Sequence, residues 1–180
     1  LAIPALRLAP VLANAIATIN KLAPGRTFLG IGAGNTAVRT LGQKPMPVGR
    51  MKEYVQVVQG LLAGEEVAYT VDGVTQLVRF QNSQLGHADA PVPIHLGGLG
   101  PLAQALAGEI GDGLVTSLPR GGTPPSIAAN LAKGAARSGR SLDRFEVVAL
   151  CNLVLLEPGE TLESERVIAD CGSAIMANVH

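Results

Sequence analysis

The sequence predicts an α/β fold built on a parallel sheet, on three observations. Apolar runs of strand length recur along the 180 residues. They are nearly continuous rather than alternating, the pattern of strands buried on both faces. Amphipathic helical segments separate them, and strict strand–helix alternation implies parallel strands joined by right-handed crossovers.

Taken in order, "LAIPAL" (1–6) reads as a buried strand, and residues 10–21 as a core helix with Val11, Leu12, Ala15, Ile16 and Ile19 at helical spacing. "RTFLGIG" (26–32) is the second strand. Residues 48–63 place Met51, Val55, Val58, Leu61 and Leu62 on one stripe, and Gly64 closes that helix. "EEVAYTVDGVTQLVRF" (65–80) alternates apolar and polar around Asp72-Gly73. It predicts an inserted β-hairpin outside the main sheet. "PVPIHLG" (91–97) is a strand, and "PLAQALAGEI" (101–110) opens a helix with proline where proline is tolerated best. "DGLVTSL" (112–118) and "RFEVVALCNLVLL" (144–156) complete the strands, and 125–137 and 160–177 the helices. Residues 1–180 are expected to form one domain, with parallel strands at about 26–32, 92–97, 112–117 and 145–156.

Composition narrows the function. Hydrophobic residues make up 47% of the chain, enough for a sizeable core. Fourteen basic and fourteen acidic residues balance, so neither a nucleic acid nor a membrane surface is expected as partner. Aromatics are 3% with no Trp, which argues against stacking platforms for single strands. Cys151 and Cys171 lie far apart and supply no zinc ligand set. They are expected as buried thiols of a cytoplasmic protein. Pro4, Arg7, Pro10 and Asn14 interrupt the apolar start, so neither a signal peptide nor a membrane span is expected there.

Two glycine clusters stand out. "TFLGIGAGNTAVRTLG" (27–42) ends a strand on Gly30, Gly32 and Gly34. The position three after Gly32 is Asn35, so the dinucleotide fingerprint fails, and no Gly-Lys-Ser/Thr follows for a phosphate loop. Bare backbone there admits a close neighbour, either another element of the fold or a ligand. "GGLGP" (97–101) ends a strand and starts a helix. Bare amides at a helix N-terminus make a phosphate site. The same turn also suits plain strand-to-helix packing with proline at the first helical position.

"KLAPGRTFLGIGAGNTAVRTLGQKP", followed by "MKEYVQVVQGLLAGE" and "PVPIHLGGLGPLAQALAGEIGDGLVTS", resembles the bacterial luciferase-like superfamily. Within it the segments are most similar to methylene-tetrahydromethanopterin reductase-like oxidoreductases that use deazaflavin (coenzyme F-420) or flavin. The resemblance covers about residues 7 to 150. It implies a (β/α)8 TIM-barrel type of fold with the cofactor at the carboxyl ends of the strands. About five of eight units are present, so a partial barrel is expected, either a fragment of a longer protein or a naturally truncated barrel. Arg7-Leu8-Ala9 departs from the Arg-His-Pro common in relatives.

The resemblance further implies hydride transfer between coenzyme F-420 or FMN and a small organic substrate. The alternatives are an FMN-dependent monooxygenase of the same superfamily and a non-catalytic truncated barrel acting as a binding or assembly module. Cofactor contacts are expected from Gly32, Gly34, Asn35, Gly97, Gly98, Leu99, Gly100 and Thr116, with backbone amides of about 98–102 pointing into one pocket. Asn35 is the catalytic candidate, able to orient by hydrogen bonds but not to exchange a proton; its other reading is the N-cap of a helix over 36–41. Arg120 is the candidate for an anionic substrate, with a plain loop arginine as the alternative. His95 is expected as a core or strand-face residue, Asp112 as structural, and Arg39 on a solvated helix face. Exposed sheet edges predict a homo-oligomer.

Overall fold

The computed structural model describes residues 1–82, 90–118 and 120–176. Four strands form one parallel sheet in the order β1 (Leu29–Ile31), β4 (Ile94–Gly97), β5 (Gly113–Ser117), β6 (Glu146–Leu150). β2 (Val67–Val71) and β3 (Val74–Val78) form the expected hairpin, antiparallel and apart from that sheet. Asp72 and Gly73 sit at its turn with φ of 50° and 79°, the twist that a two-residue hairpin turn requires. The main sheet is open and forms no closed barrel, the partial barrel that the sequence predicts.

The first strand is shorter than expected. Only Ala2 pairs, in parallel with Ile31, and Pro4–Leu6 form a 3-10 turn. Ala2 donates to Gly30 and accepts from Gly32, so this segment still lies beside β1 as an outer neighbour. Pro4 stops the ladder, since it has no N–H to give.

The helices are α1 (Ala9–Leu22), α2 (Asn35–Thr40), α3 (Val48–Leu62), α4 (Pro101–Ile110), α5 (Pro124–Ser138) and α6 (Glu165–Met176). Predicted position 177 lies outside the described residues. α3 ends as the sequence indicates: Gly64 takes φ 80°, and the N–H groups of Gly64 and Glu65 return to Leu61 and Gly60. Thr123 and Ser126 form a capping box that starts α5, and Gly139 at φ 66° ends it.

Strand alternation sorts the sheet into two faces. Leu29, Ile31, Ile94, Leu96 and Leu114 point to the helices and are buried with Val55, Val58 and Leu61 of α3 and Leu106 of α4. Register places Gly30, Gly32, His95, Gly97, Gly113, Val115, Glu146 and Val148 on the other face. α4 and α5 cross with their backbones nearly touching: a Cβ on Gly108 would overlap the Leu131 carbonyl, and one on Gly134 would overlap that of Ala105.

Two expectations fail at the carboxyl end. The run 144–156 is strand only over Glu146–Leu150, and all five of those residues are exposed. Cys151 is exposed and Cys171 half-buried, so neither is the buried thiol expected. The exposure of this strand and of Cys151 follows from β6 being the sheet's edge, where apolar side chains find no covering element; Cys171 lies in α6.

Candidate functional site

The C-terminal ends of β1, β4 and β5 gather most of the predicted site residues. Gly30, Gly32 and Gly97 share the face away from the helices, and a Cβ built on Gly97 would lie 3.4 Å from the Gly32 Cα. The side chain of Leu1 lies over this bare surface, its Cδ1 3.0 Å from where a Gly32 Cβ would stand. The neighbour that the glycines admit in this chain is therefore the segment 1–3. Gly34 is held more strictly: its φ is 69°, and a Cβ there would come within 2.8 Å of Ile3 Cδ1. A left-handed residue in a crowded place leaves only glycine.

Gly34, not Asn35, is the N-cap of α2. Asn35 is the first helical residue, exposed, and its Oδ1 accepts a 2.7 Å hydrogen bond from Arg39 Nε. The capping alternative for Asn35 is thereby overturned. This is an exposed (i, i+4) side-chain pair on the helix surface.

The second cluster separates into residues with different jobs. Gly98 donates its N–H to Val115 O at 3.0 Å, and a Cβ on it would stand 2.9 Å from that of Ala103. Its amide is spent on β5, so it leaves the set of amides expected to face a ligand. Pro101 has no N–H. Gly100 is the N-cap of α4 at φ −99° and ψ 162°, an extended conformation that any residue adopts, and a Cβ there would meet nothing within 4 Å. A β-branched residue at Gly100 would therefore act by filling open space, not by straining the backbone. Leu99 is exposed beside it. α4 has no side-chain cap, which leaves its first-turn amides to solvent or a ligand.

Thr116 is apart from the glycines. Alternation puts it on the helix face of β5, 2% exposed, packed where Gly121 needs its lack of a Cβ. Its Oγ1 has no hydrogen-bond partner among the described residues. Arg120 is exposed on the loop that follows β5, at the same end of the sheet as Leu99 and Gly100.

His95 is 3% exposed, as a strand-face residue should be. Its ring lies over Gly113, 4.9 Å from that of Phe28, and Nε2 is 3.6 Å from Glu146 Oε2. Asp112 is structural as expected: Oδ2 accepts from Ile94 N at 2.9 Å and Oδ1 from Arg140 Nη2 at 3.3 Å. Lys52 and Arg137 pair with Glu109, and the Lys52 hydrogen bond holds that carboxyl below its usual range.

Spacing gave no hint of two further features. Gln104, 1% exposed in α4, donates to Leu99 O and Gly121 O and accepts from Asn130. The one available signal was a glutamine inside the otherwise apolar stretch "PLAQALA". The other is a groove of about 700 Å³ between Pro4–Leu8, the start of α3 and β2. Tyr54 donates there to Arg7 O at 3.0 Å, and Ala9 N donates to Tyr69 Oη at 3.3 Å. Burial, with Tyr69 beside it, pushes the Tyr54 phenol up to about 12, against a weaker pull from Arg7. This groove is larger than the pocket of about 40 Å³ at the ends of β1 and β4, lined by Ala33, Met46 and Gly97 among others. Volume is a poor guide here, because an open sheet face encloses little space even where it presents its backbone.

Among the described residues no group of three or more His, Cys, Asp or Glu could hold a metal ion, and no helix is long and apolar enough to cross a membrane.

Comparison with known proteins gives this geometry its context. The chain is 35% identical over 143 residues to a 5,10-methylenetetrahydromethanopterin reductase of Archaeoglobus fulgidus, covering 78% of this chain and 42% of that protein. It is 37% identical over 153 residues to an F420-dependent glucose-6-phosphate dehydrogenase of Beutenbergia cavernae, covering 81% and 45%. It superposes on an F420-dependent secondary alcohol dehydrogenase with TM-score 0.63 at 26% identity, over 78% of this chain and 44% of the other. The fold is also that of the EDTA monooxygenase of Chelativorans sp. BNC1, with TM-score 0.62 at 19% identity over 93% and 46%. The chain thus spans less than half the length of these relatives. Residues 2–176 match the model of the luciferase-like monooxygenases, and the chain belongs to that family.

Proposed function

We propose that the chain supplies the phosphate-holding part of an oxidoreductase that moves a hydride between coenzyme F-420 and a small organic substrate. The observation that carries this is the turn Leu99–Gly100 at the end of β4. It opens α4 with no side-chain cap and with open space beside Gly100, a fit for a phosphate group. The F420-dependent relative at 37% identity and the F420-dependent alcohol dehydrogenase of like fold at 26% favour the deazaflavin over FMN; FMN brings a phosphate to the same turn and is the second choice. When bound, the ring would carry the hydride chemistry. The protein's share is binding and orientation.

In this reading the amides of Leu99, Gly100 and Leu102 face the phosphate. Gly32, Gly34 and Gly97 leave room for the flat ring system, and Leu1 yields its place over them. Asn35 orients substrate or ring by hydrogen bonds, exchanging its Arg39 partner to do so. Arg120 meets an anionic substrate. Thr116 supports the site from behind the sheet, through the loop at Gly121. Residues 1–180 act as one domain, and the apolar side chains of β6 and the following segment are covered by self-association. Both cysteines are free thiols, in keeping with a reducing, cytoplasmic setting. Mass spectrometry of ligand released from native protein tests the cofactor. Recovery of F-420 supports the reading, FMN selects the second choice, and a nucleotide lacking any flavin-type ring overturns both.

A further inference from the structure

We propose that Gln104 is a positioning residue that presets the anion-binding turn. Its carboxamide is buried, and all three of its bonds join different parts of the structure. Nε2 donates to Leu99 O at 3.2 Å and to Gly121 O at 2.8 Å, and Oε1 accepts from Asn130 Nδ2 at 2.8 Å. The orientation of the amide is fixed by its partners: two carbonyls need donors, so the nitrogen must face them.

The consequence follows from peptide geometry. In a trans peptide the C=O and the next residue's N–H point in opposite directions. Gln104 draws the Leu99 carbonyl inward, so the Gly100 N–H points outward, away from the protein interior. The same bond at Gly121 anchors the loop that carries Arg120. One side chain therefore sets two loops at the ends of β4 and β5, one bearing the free amide and the other the cation. Asn130 steadies Gln104 from α5 but touches neither loop carbonyl in this network. A purely apolar residue would fill the same space, remove the donor from Leu99 O and leave the buried Gly121 O unpaired, so that both peptides are free to reorient.

This inference rests on the phosphate reading of the turn, and its test separates the two. Gln104→Met and Asn130→Ala are compared with the wild-type chain by thermal melting, by 15N relaxation and by FMN and F-420 titration. Both variants are expected to melt lower. Only Gln104→Met should drop the order parameters at Leu99–Gly100 and Gly121–Gly122 from rigid values near 0.85 to below about 0.6. It should also weaken cofactor binding by about tenfold, the scale of one lost hydrogen bond. Equal loosening in both variants, or none in Gln104→Met, overturns the proposal. If wild type binds neither cofactor while Gln104→Met alone loosens the loops, the phosphate reading fails and the clamp stands. Should Gln104→Met not fold, wild type still decides. The Gln104 carboxamide protons should exchange at least about a hundredfold more slowly than those of exposed Gln43, and equal rates would overturn the clamp.

Discussion

β5 and β6 lie side by side in one sheet and are both written in apolar residues, yet they end in opposite environments. Leu114 of β5 is fully buried beneath the helices, whereas Val147, its partner in register on the same face of β6, is 48% exposed, and Val148 and Leu150 on the opposite face are 45% and 64% exposed. The difference lies in what covers them. α4 and α5 pack backbone to backbone through Gly108 and Gly134 and close over the β4–β5 side. The chain after β6 runs through residues 151–164 without regular structure beyond turns and exposes Leu153, Leu155 and Leu162. Hydropathy marks which residues can be buried; coverage decides which are.

The largest effect should come from breaking the helix crossing. Gly108→Val would drive a side chain into the Leu131 carbonyl, and backbone cannot swing aside as a side-chain tip can. We expect a loss of more than about 3 kcal/mol, seen as an unfolded or aggregated protein in chemical denaturation. Leu114→Ala should cost about 3 kcal/mol by leaving a cavity under α4, read as a lower denaturation midpoint with an unchanged slope.

A third test moves to the groove, which neither strand lines. Burial pushes the Tyr54 phenol from its ordinary value near 10.0 up to about 12 in the folded chain. The unfolded chain therefore releases this proton first, and stability is lost as pH rises from about 10 to 12. Tyr54→Phe should remove that part of the slope in denaturation series from pH 8 to 12. An identical slope in both proteins would refute the assignment.

On the exposed side the effects should be small. Val148→Ser at the edge strand should change stability by less than about 0.5 kcal/mol while reducing self-association in sedimentation. Asn35→Ala should cost only about 0.2–0.5 kcal/mol, the value of an exposed (i, i+4) pair rather than of a helix cap. A loss near 1 kcal/mol would restore the cap reading.

The strand–helix order, the hairpin around Asp72-Gly73, the end of α3 at Gly64 and the role of Asp112 were legible because each is local: a period, a turn or a cap. The errors were about neighbours. Nothing in "RFEVVALCNLVLL" says that no helix covers it, so β6 and Cys151 were expected inside. Gly98 looks like Gly100 in the sequence, but only the fold spends its amide on Val115 O. The helix starts one residue earlier than expected, so Gly34 is the cap, and Ile3, thirty-one positions earlier, is the neighbour that excludes a side chain there. Strand alternation sends Thr116 to the helix face, a placement set by its register with β6 and not by its own type. The role of Gln104 is not local, since its three partners come from separate segments.

The central claim is that the Leu99–Gly100 turn at the head of α4 holds a phosphate of the cofactor. Its most direct test is a titration of 15N-labelled chain with coenzyme F-420, and in parallel with FMN, following amide shifts. The account predicts saturable shifts at Leu99, Gly100 and Leu102, with Gly98 little changed because its N–H is already bonded to Val115. Shifts confined to the groove around Arg7, Tyr54 and Tyr69, with the turn silent, would contradict it.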